Sequence, residues 1–259
     1  MNVSDRKFIF HDLQKIDGYI DPPDALVFAS LLQAQQKRSL KGGVAEIGVF
    51  YGRSYFLLRK VVGEDGAVLA VDLFDLNDDD TVTQYERFLE NGKRLNLRVD
   101  EDLVIRGDST RLTADEVLEK VGKVRFFSID GGHMLHHVLA DSALAKEVLA
   151  DHGIIVFDDT FNPQWPEVTV GVADFLRAQG DSFAAFCMTK YKTYVCRRDY
   201  HSFYEKVVAQ APELVPFDHL DTEFLGAKVT RLHNPMGRRM IHELMIRSGL
   251  TNFSERIYR

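Results

Sequence analysis

The sequence predicts an α/β fold: a doubly wound, mainly parallel sheet of seven strands, ending in an antiparallel hairpin. Three observations carry this. Short apolar runs alternate with helical patterns, with short connections between them, as βαβ units require. The runs are apolar on consecutive residues, which suits strands buried within a sheet. Acids recur where those runs end, at Glu46, Asp72, Asp108, Asp130, Asp158 and Asp159, and ligands of such sheets gather at the carboxyl ends of the strands.

The elements follow in order. Residues 1–39 read as an N-terminal helical segment, with a helix over 23–38 opened by Pro22-Pro23. The central domain spans 40–198. "GGVAEIG" (42–48) is its first strand and "RSYFLLRKVV" (53–62) the helix after it. "AVLAVDLF" (67–74) is the second strand, followed by an acidic loop at 75–80 and a helix over 81–96. "DLVIRGDST" (102–110) holds the third strand. A short helix follows over 113–122, with Thr113 as N-cap and Glu116 completing a capping box. "VRFFSID" (124–130) and "GIIVFDD" (153–159) are strands four and five, separated by a helix over 136–150. A helix over 168–179 leads to a hairpin made by 182–190 and 192–198. Residues 199–259 read as a C-terminal helical tail, from "YHSFYEKVVAQAPEL" and "PMGRRMIHELMIRSGL".

With 259 residues, 45% hydrophobic, the chain suits one large α/β domain, or one domain with a small appendage. A net charge of -7 speaks against a general nucleic-acid binder. Two cysteines offer no disulfide framework and suit a reducing compartment. The opening residues are polar and mixed in charge, unlike a signal peptide. No apolar run approaches the roughly 18–20 residues of a membrane span. A cytoplasmic protein is the expectation, with homo-oligomerisation left open.

"EIGVFYGRS" (46–54) brackets the first strand-to-helix turn with Gly48 and Gly52. Glycine there lets a ligand approach the backbone. Phe50 replaces the glycine that a dinucleotide fingerprint needs, so the diphosphate turn is missing. Asp72, closing strand two, stands where an acid accepts ribose hydroxyls. Asp108, closing strand three, stands where an acid can meet an adenine amino group. The set describes a nucleoside site without a diphosphate. The plain alternative is that these acids N-cap the following helices.

E-x-G-x-x-x-G-x-S, the acid after strand two and G-D-S after strand three together resemble the class I S-adenosylmethionine-dependent methyltransferases, over roughly residues 40–198. The resemblance implies a Rossmann-like sheet. It implies that Glu46 and Gly48 line the methionine portion of the cofactor, and that Tyr51, Gly52 and Ser54 also bind the cofactor. Asp72 then holds the ribose, Asp108 and Ser109 lie near the adenine, and Asp130 borders the cofactor.

Asp130, Asp158 and Asp159 end neighbouring strands, which lie about 5 Å apart. Three converging carboxylates repel one another unless a cation sits among them. Oxygen ligands favour Mg²⁺, with Mn²⁺ or Ca²⁺ as alternatives. The other reading has Asp159 capping the next segment and Asp130 facing water. "SIDGGH" is similar to the I-D-G-x-H of macrocin-type, metal-dependent sugar O-methyltransferases. That likeness implies that His133, with Asp130, is catalytic, the imidazole deprotonating a metal-bound hydroxyl; a helix-start residue is the alternative. His136 and His137 are secondary, and their spacing does not suit a zinc site. Trp165 either walls an acceptor pocket or packs.

The expected activity is metal-assisted methyl transfer to a hydroxyl of a sugar, glycan or glycosylated natural product. The alternatives are a catechol-like phenol O-methyltransferase and a non-catalytic S-adenosylmethionine-binding domain. A hydroxylase of the same family is a third. The motifs do not choose the acceptor.

Overall fold

In the computed structural model, which describes residues 1, 3–76, 82–250, 253 and 255–258, five strands run parallel: β1 (Gly43–Ile47), β2 (Val68–Asp72), β3 (Val104–Arg106), β4 (Val124–Ile129) and β5 (Leu149–Phe157). The hairpin of β6 (Phe183–Met188) and β7 (Thr193–Arg197) follows, with β7 antiparallel to β5. A second hairpin, β8 (Asp218–Phe224) and β9 (Ala227–His233), joins the free edge of β6 through β9. The order is β3-β2-β1-β4-β5-β7-β6-β9-β8.

The described residues therefore form nine strands, against the seven that were expected. The stretch 199–259 is not purely helical. It carries α8 (Arg198–Gln210) and α9 (Met236–Arg247), but also β8 and β9. The sequence of β8, "DHLDTEF", has no apolar run, because an edge strand is solvated. Its charges also discourage pairing with another chain. Residues 77–81, which include most of the expected acidic loop and the start of the helix after it, lie outside the described residues.

Side chains alternate between two cores, as the pleat dictates. Val44, Ala70, Phe126, Ile154 and Val156 face a core that includes residues of α2 (Pro22–Lys37), α3 (Arg53–Val62), α4 (Gln84–Leu95) and α8. Ala45, Leu69, Phe127, Ile155 and Phe157 face a core with α5 (Ala114–Val121), α6 (Leu135–Val148) and α7 (Pro166–Ala178). Both faces of the central strands are thus covered, which explains their unbroken apolar runs. Thr113 and Glu116 form the expected capping box at α5, and Thr83 with Glu86 forms another at α4. No helix among the described residues is long and apolar enough to cross a membrane.

Candidate active site

The strand order reverses at β1, which pairs with β2 on one side and β4 on the other; Ile47 stands opposite both Val71 and Ile129. A crevice opens where the two chain directions diverge. Gly48 adopts φ +81°, and a Cβ there would stand 1.7 Å from the carbonyl oxygen of Asp130. Only glycine lets the exits of β1 and β4 meet so closely.

A cavity of about 540 Å³ fills this crevice, bordered by Gly48, Asp72, Asp108, Ser109, Asp130 and His133, among others. Its apolar wall includes Ile47, Val71 and Leu76. Asp72 is half-buried and accepts hydrogen bonds from the backbone N–H groups of Phe50 and Phe74, both at 2.8 Å, and from Gln84 Nε2 at 3.3 Å. It thereby holds Phe50 at a left-handed φ of 53°. Asp108 is exposed and accepts from the N–H and hydroxyl of Thr110, which hold its carboxyl below the usual range.

Four expected cofactor residues do not border this cavity. Tyr51 and Gly52 shape the turn, the ring of Tyr51 lying 4.0 Å from that of Phe50 and Gly52 packing on Phe56 and Phe88. Glu46 faces the core layer of α2 and α3 and is 0% exposed. The hydroxyls of Ser54 and Ser128 flank it and favour its ionised form, but less than burial disfavours it. Burial raises its carboxyl to about 8.

At the other end of the crevice, the imidazole Nε2 of His133 lies 2.9 Å from Asp159 Oδ2. Its ring stacks on Trp165, with centroids 4.2 Å apart and planes 11° from parallel. Asp130, His133 and Asp159 each offer a ligand atom, all within 4.8 Å of one another. Burial pushes the Asp130 carboxyl well above the usual range, and Asp158 beside it adds to the shift. For Asp159 burial pushes upward, but His133 and Asn162 outweigh it and the net shift is downward. Asn162 Nδ2 donates to Asp159 Oδ1 at 2.6 Å.

Of the expected ligands Asp130, Asp158 and Asp159, the structure groups Asp130 and Asp159 with His133. Asp158 forms a buried ion pair with Lys192, which is 4% exposed. A cation of the chain itself already neutralises that carboxylate, and His133 takes the third place beside Asp130 and Asp159. Lys192 was not anticipated. Its only signal is a lysine placed directly before the buried strand β7. Three other residues were missed. Gln84 donates to Asp72. Asp24, 5% exposed, accepts from Thr189 Oγ1 and Tyr194 OH, both at 2.6 Å. Asp141, on α6, is 0% exposed, lying behind Gly131 with the Ser109 hydroxyl beside it. His137 borders the cavity, whereas His136 is exposed.

Comparison with known proteins bears on this geometry. Residues 45–160 match a family described as a methyltransferase domain. No match is found among curated proteins. Among solved structures, the chain is similar to the O-methyltransferase NovP: TM-score 0.54, 14% identity, covering 66% of this chain and 77% of that one. It is also similar to CalS11, a TDP-rhamnose 3'-O-methyltransferase of calicheamicin biosynthesis: TM-score 0.52, 16% identity, covering 68% of this chain and 78% of that one. At these identities the likeness is one of fold. Family match and fold likeness coincide on the residues that build the β1–β4 crevice: residues 45–160 are similar to a methyltransferase domain, and the sheet has the fold of the two O-methyltransferase structures.

Proposed function

We propose that the enzyme transfers a methyl group from S-adenosylmethionine to a hydroxyl of a sugar or glycosylated natural product. The observation that carries this reading is His133. Its Nε2 lies 2.9 Å from Asp159 Oδ2 and its ring stacks on Trp165, at the rim of the cofactor cavity. A nitrogen base oriented by a carboxylate is the arrangement that removes a proton from a hydroxyl as it attacks. The names of the two similar structures, both O-methyltransferases and one acting on a nucleotide-linked sugar, support this reading.

The cavity suits the cofactor. Asp72 offers carboxylate lone pairs at the end of β2 for ribose hydroxyls, Asp108 and Ser109 border the adenine end, and apolar side chains line the wall between. Bound there, the cofactor supplies an electrophilic methyl group on sulfur. Asp130, His133 and Asp159 form a donor set that fits a divalent cation, Mg²⁺ or Mn²⁺. Such an ion would lower the pKa of an acceptor hydroxyl. His133 stands as base in this reading. Its place in the donor set favours a second reading, in which it is a metal ligand and the proton leaves to water.

The test is turnover of methyl-labelled S-adenosylmethionine by the full chain with Mg²⁺, offered glycosides, free sugars and catechol. Label is expected on a sugar hydroxyl and is expected to vanish in excess EDTA. Label on catechol alone would overturn the acceptor class. Full turnover in EDTA would overturn the metal. Cofactor binding with no label on any acceptor would favour a non-catalytic domain.

A further inference from the structure

A second cavity, about 750 Å³, lies on the far side of the loop that follows β5. Phe161 and Pro163 of that loop border it, while Asp159, two residues earlier, faces His133. Its floor is the turn between β6 and β7. Thr189, Lys190 and Tyr191 line the cavity, and the next residue, Lys192, pairs with Asp158. The Thr160 hydroxyl ties the two segments together through the carbonyl of Tyr191 at 2.9 Å. The loop after β5 thus contributes to both the His133 site and this cavity.

The charges there are distinctive. Arg231 on β9 and Arg239 on α9 both border the cavity, and neither has an acidic or hydrogen-bonding partner among the described residues. Lys190 lies over the ring of Tyr191, 4.2 Å from its centroid, and has no acidic partner among the described residues. Three acids share the lining. Asp24 is engaged by Thr189 and Tyr194, and burial raises its carboxyl to about 6. Asp21 and Glu223 are exposed. Phe161 and Phe224 add an aromatic wall, their rings 5.7 Å apart and steeply inclined. Two planar guanidiniums and an ammonium lining one cavity suit phosphoryl oxygens, and aromatic faces suit a flat heterocycle. The volume exceeds what one sugar ring needs.

We propose that this cavity is the acceptor's anionic subsite: the methylated sugar is carried on a diphosphate, which Arg231, Arg239 and Lys190 hold, with an aromatic base against Phe161 and Phe224. This rests on the methyl-transfer reading above and names its substrate class. The second hairpin and α9, outside the matched methyltransferase domain, would then be the specificity element.

The experiment is calorimetric titration of the full chain with inorganic pyrophosphate, uridine diphosphate, glucuronate and, separately, S-adenosylhomocysteine. Pyrophosphate and uridine diphosphate are expected to bind, the nucleotide more tightly. Arg231→Ala and Arg239→Ala should each weaken both by roughly tenfold, and the double variant by roughly a hundredfold. The affinity for S-adenosylhomocysteine should not change, which also shows that the variants are folded. If neither phosphoryl probe binds, if the double variant binds them as the parent does, or if only glucuronate binds, the proposal falls while the methyl-transfer reading stands. Loss of S-adenosylhomocysteine binding by the parent would instead overturn that reading itself.

Discussion

His133 and Asp72 show how single side chains divide the work. His133 contacts Asp159 and Trp165, whereas Asp72 lies at the end of β2. His133→Ala should lower kcat by roughly 10²–10⁴, the range for one positioned acid–base group, and leave S-adenosylhomocysteine affinity unchanged. The ascending limb of the pH–rate profile should disappear with it. An unchanged kcat and limb would reduce His133 to a residue at the start of α6. Asp72 has two tasks. It borders the cavity, and it accepts from Phe50 and Phe74 N–H and from Gln84. Asp72→Ala should weaken S-adenosylhomocysteine binding by about 1–3 kcal/mol. It should also lower Tm, because two backbone donors lose their acceptor. Its position at the end of β2 was legible in the sequence. That it also pins the turn at Phe50 was not, because that contact joins residues 22 apart.

Among the elements, the loop after β5 decides the most. Asp158 and Asp159 are adjacent in the chain, yet Asp159 takes a left-handed φ of 54° and Phe161 one of 61°. This turns the two carboxylates apart, one to Lys192 and the other to His133. Such conformations are costly for side-chain-bearing residues and gather at functional sites. Trp165, at the end of the same loop, holds the imidazole by stacking. Trp165→Ala should lower kcat by roughly 2–10-fold, the worth of one aromatic stack, and displace the pH–rate limb, with Trp165→Phe restoring most of both. A variant that loses stability but keeps the parent limb would make Trp165 a packing residue. Elements with local signals were readable at once. The capping box of Thr113 and Glu116 needs only residues three apart. The loop after β5 was not readable, because its course depends on Lys192 from the next hairpin.

At the scale of the whole molecule, one face of the sheet buries an unusual amount of acid. Burial raises Glu46 to about 8 and Asp24 to about 6. Each carboxyl is therefore harder to ionise folded than unfolded. As pH rises past about 4 the unfolded chain ionises first, so stability present in acid is lost progressively. The loss from Asp24 is complete near pH 6 and that from Glu46 near pH 8. Tm should fall between about pH 5 and pH 8. Glu46→Gln should flatten the decline above pH 6 and gain on the order of a few kcal/mol at pH 8. A parallel decline in parent and variant would mean that Glu46 is ionised and paired in solution. The carboxyls around Lys192 gain from its charge, which is why an ammonium can stay charged at 4% exposure.

Strand order in the chain, the doubly wound class and the acids at strand ends were determined by the sequence alone. They rest on patterns of a few residues: apolar runs, capping pairs and glycine at a strand exit. The same patterns pointed to Asp72 and Asp130 as cleft residues, whereas His133 was reached through the likeness of "SIDGGH" to a known family motif. Three matters were decided only by the tertiary structure. The edge hairpin of β8 and β9 was hidden because a solvated strand has no apolar run to betray it. The partner of Asp158 was hidden because Lys192 is 34 residues away and acts through space. The pairing of a cofactor cavity with an arginine-lined one was hidden because the second is built from the N-terminal segment, the loop after β5 and the C-terminal hairpin together. Local chemistry is written in neighbouring residues, whereas compensation of buried charge is settled by whichever distant side chain the fold brings alongside.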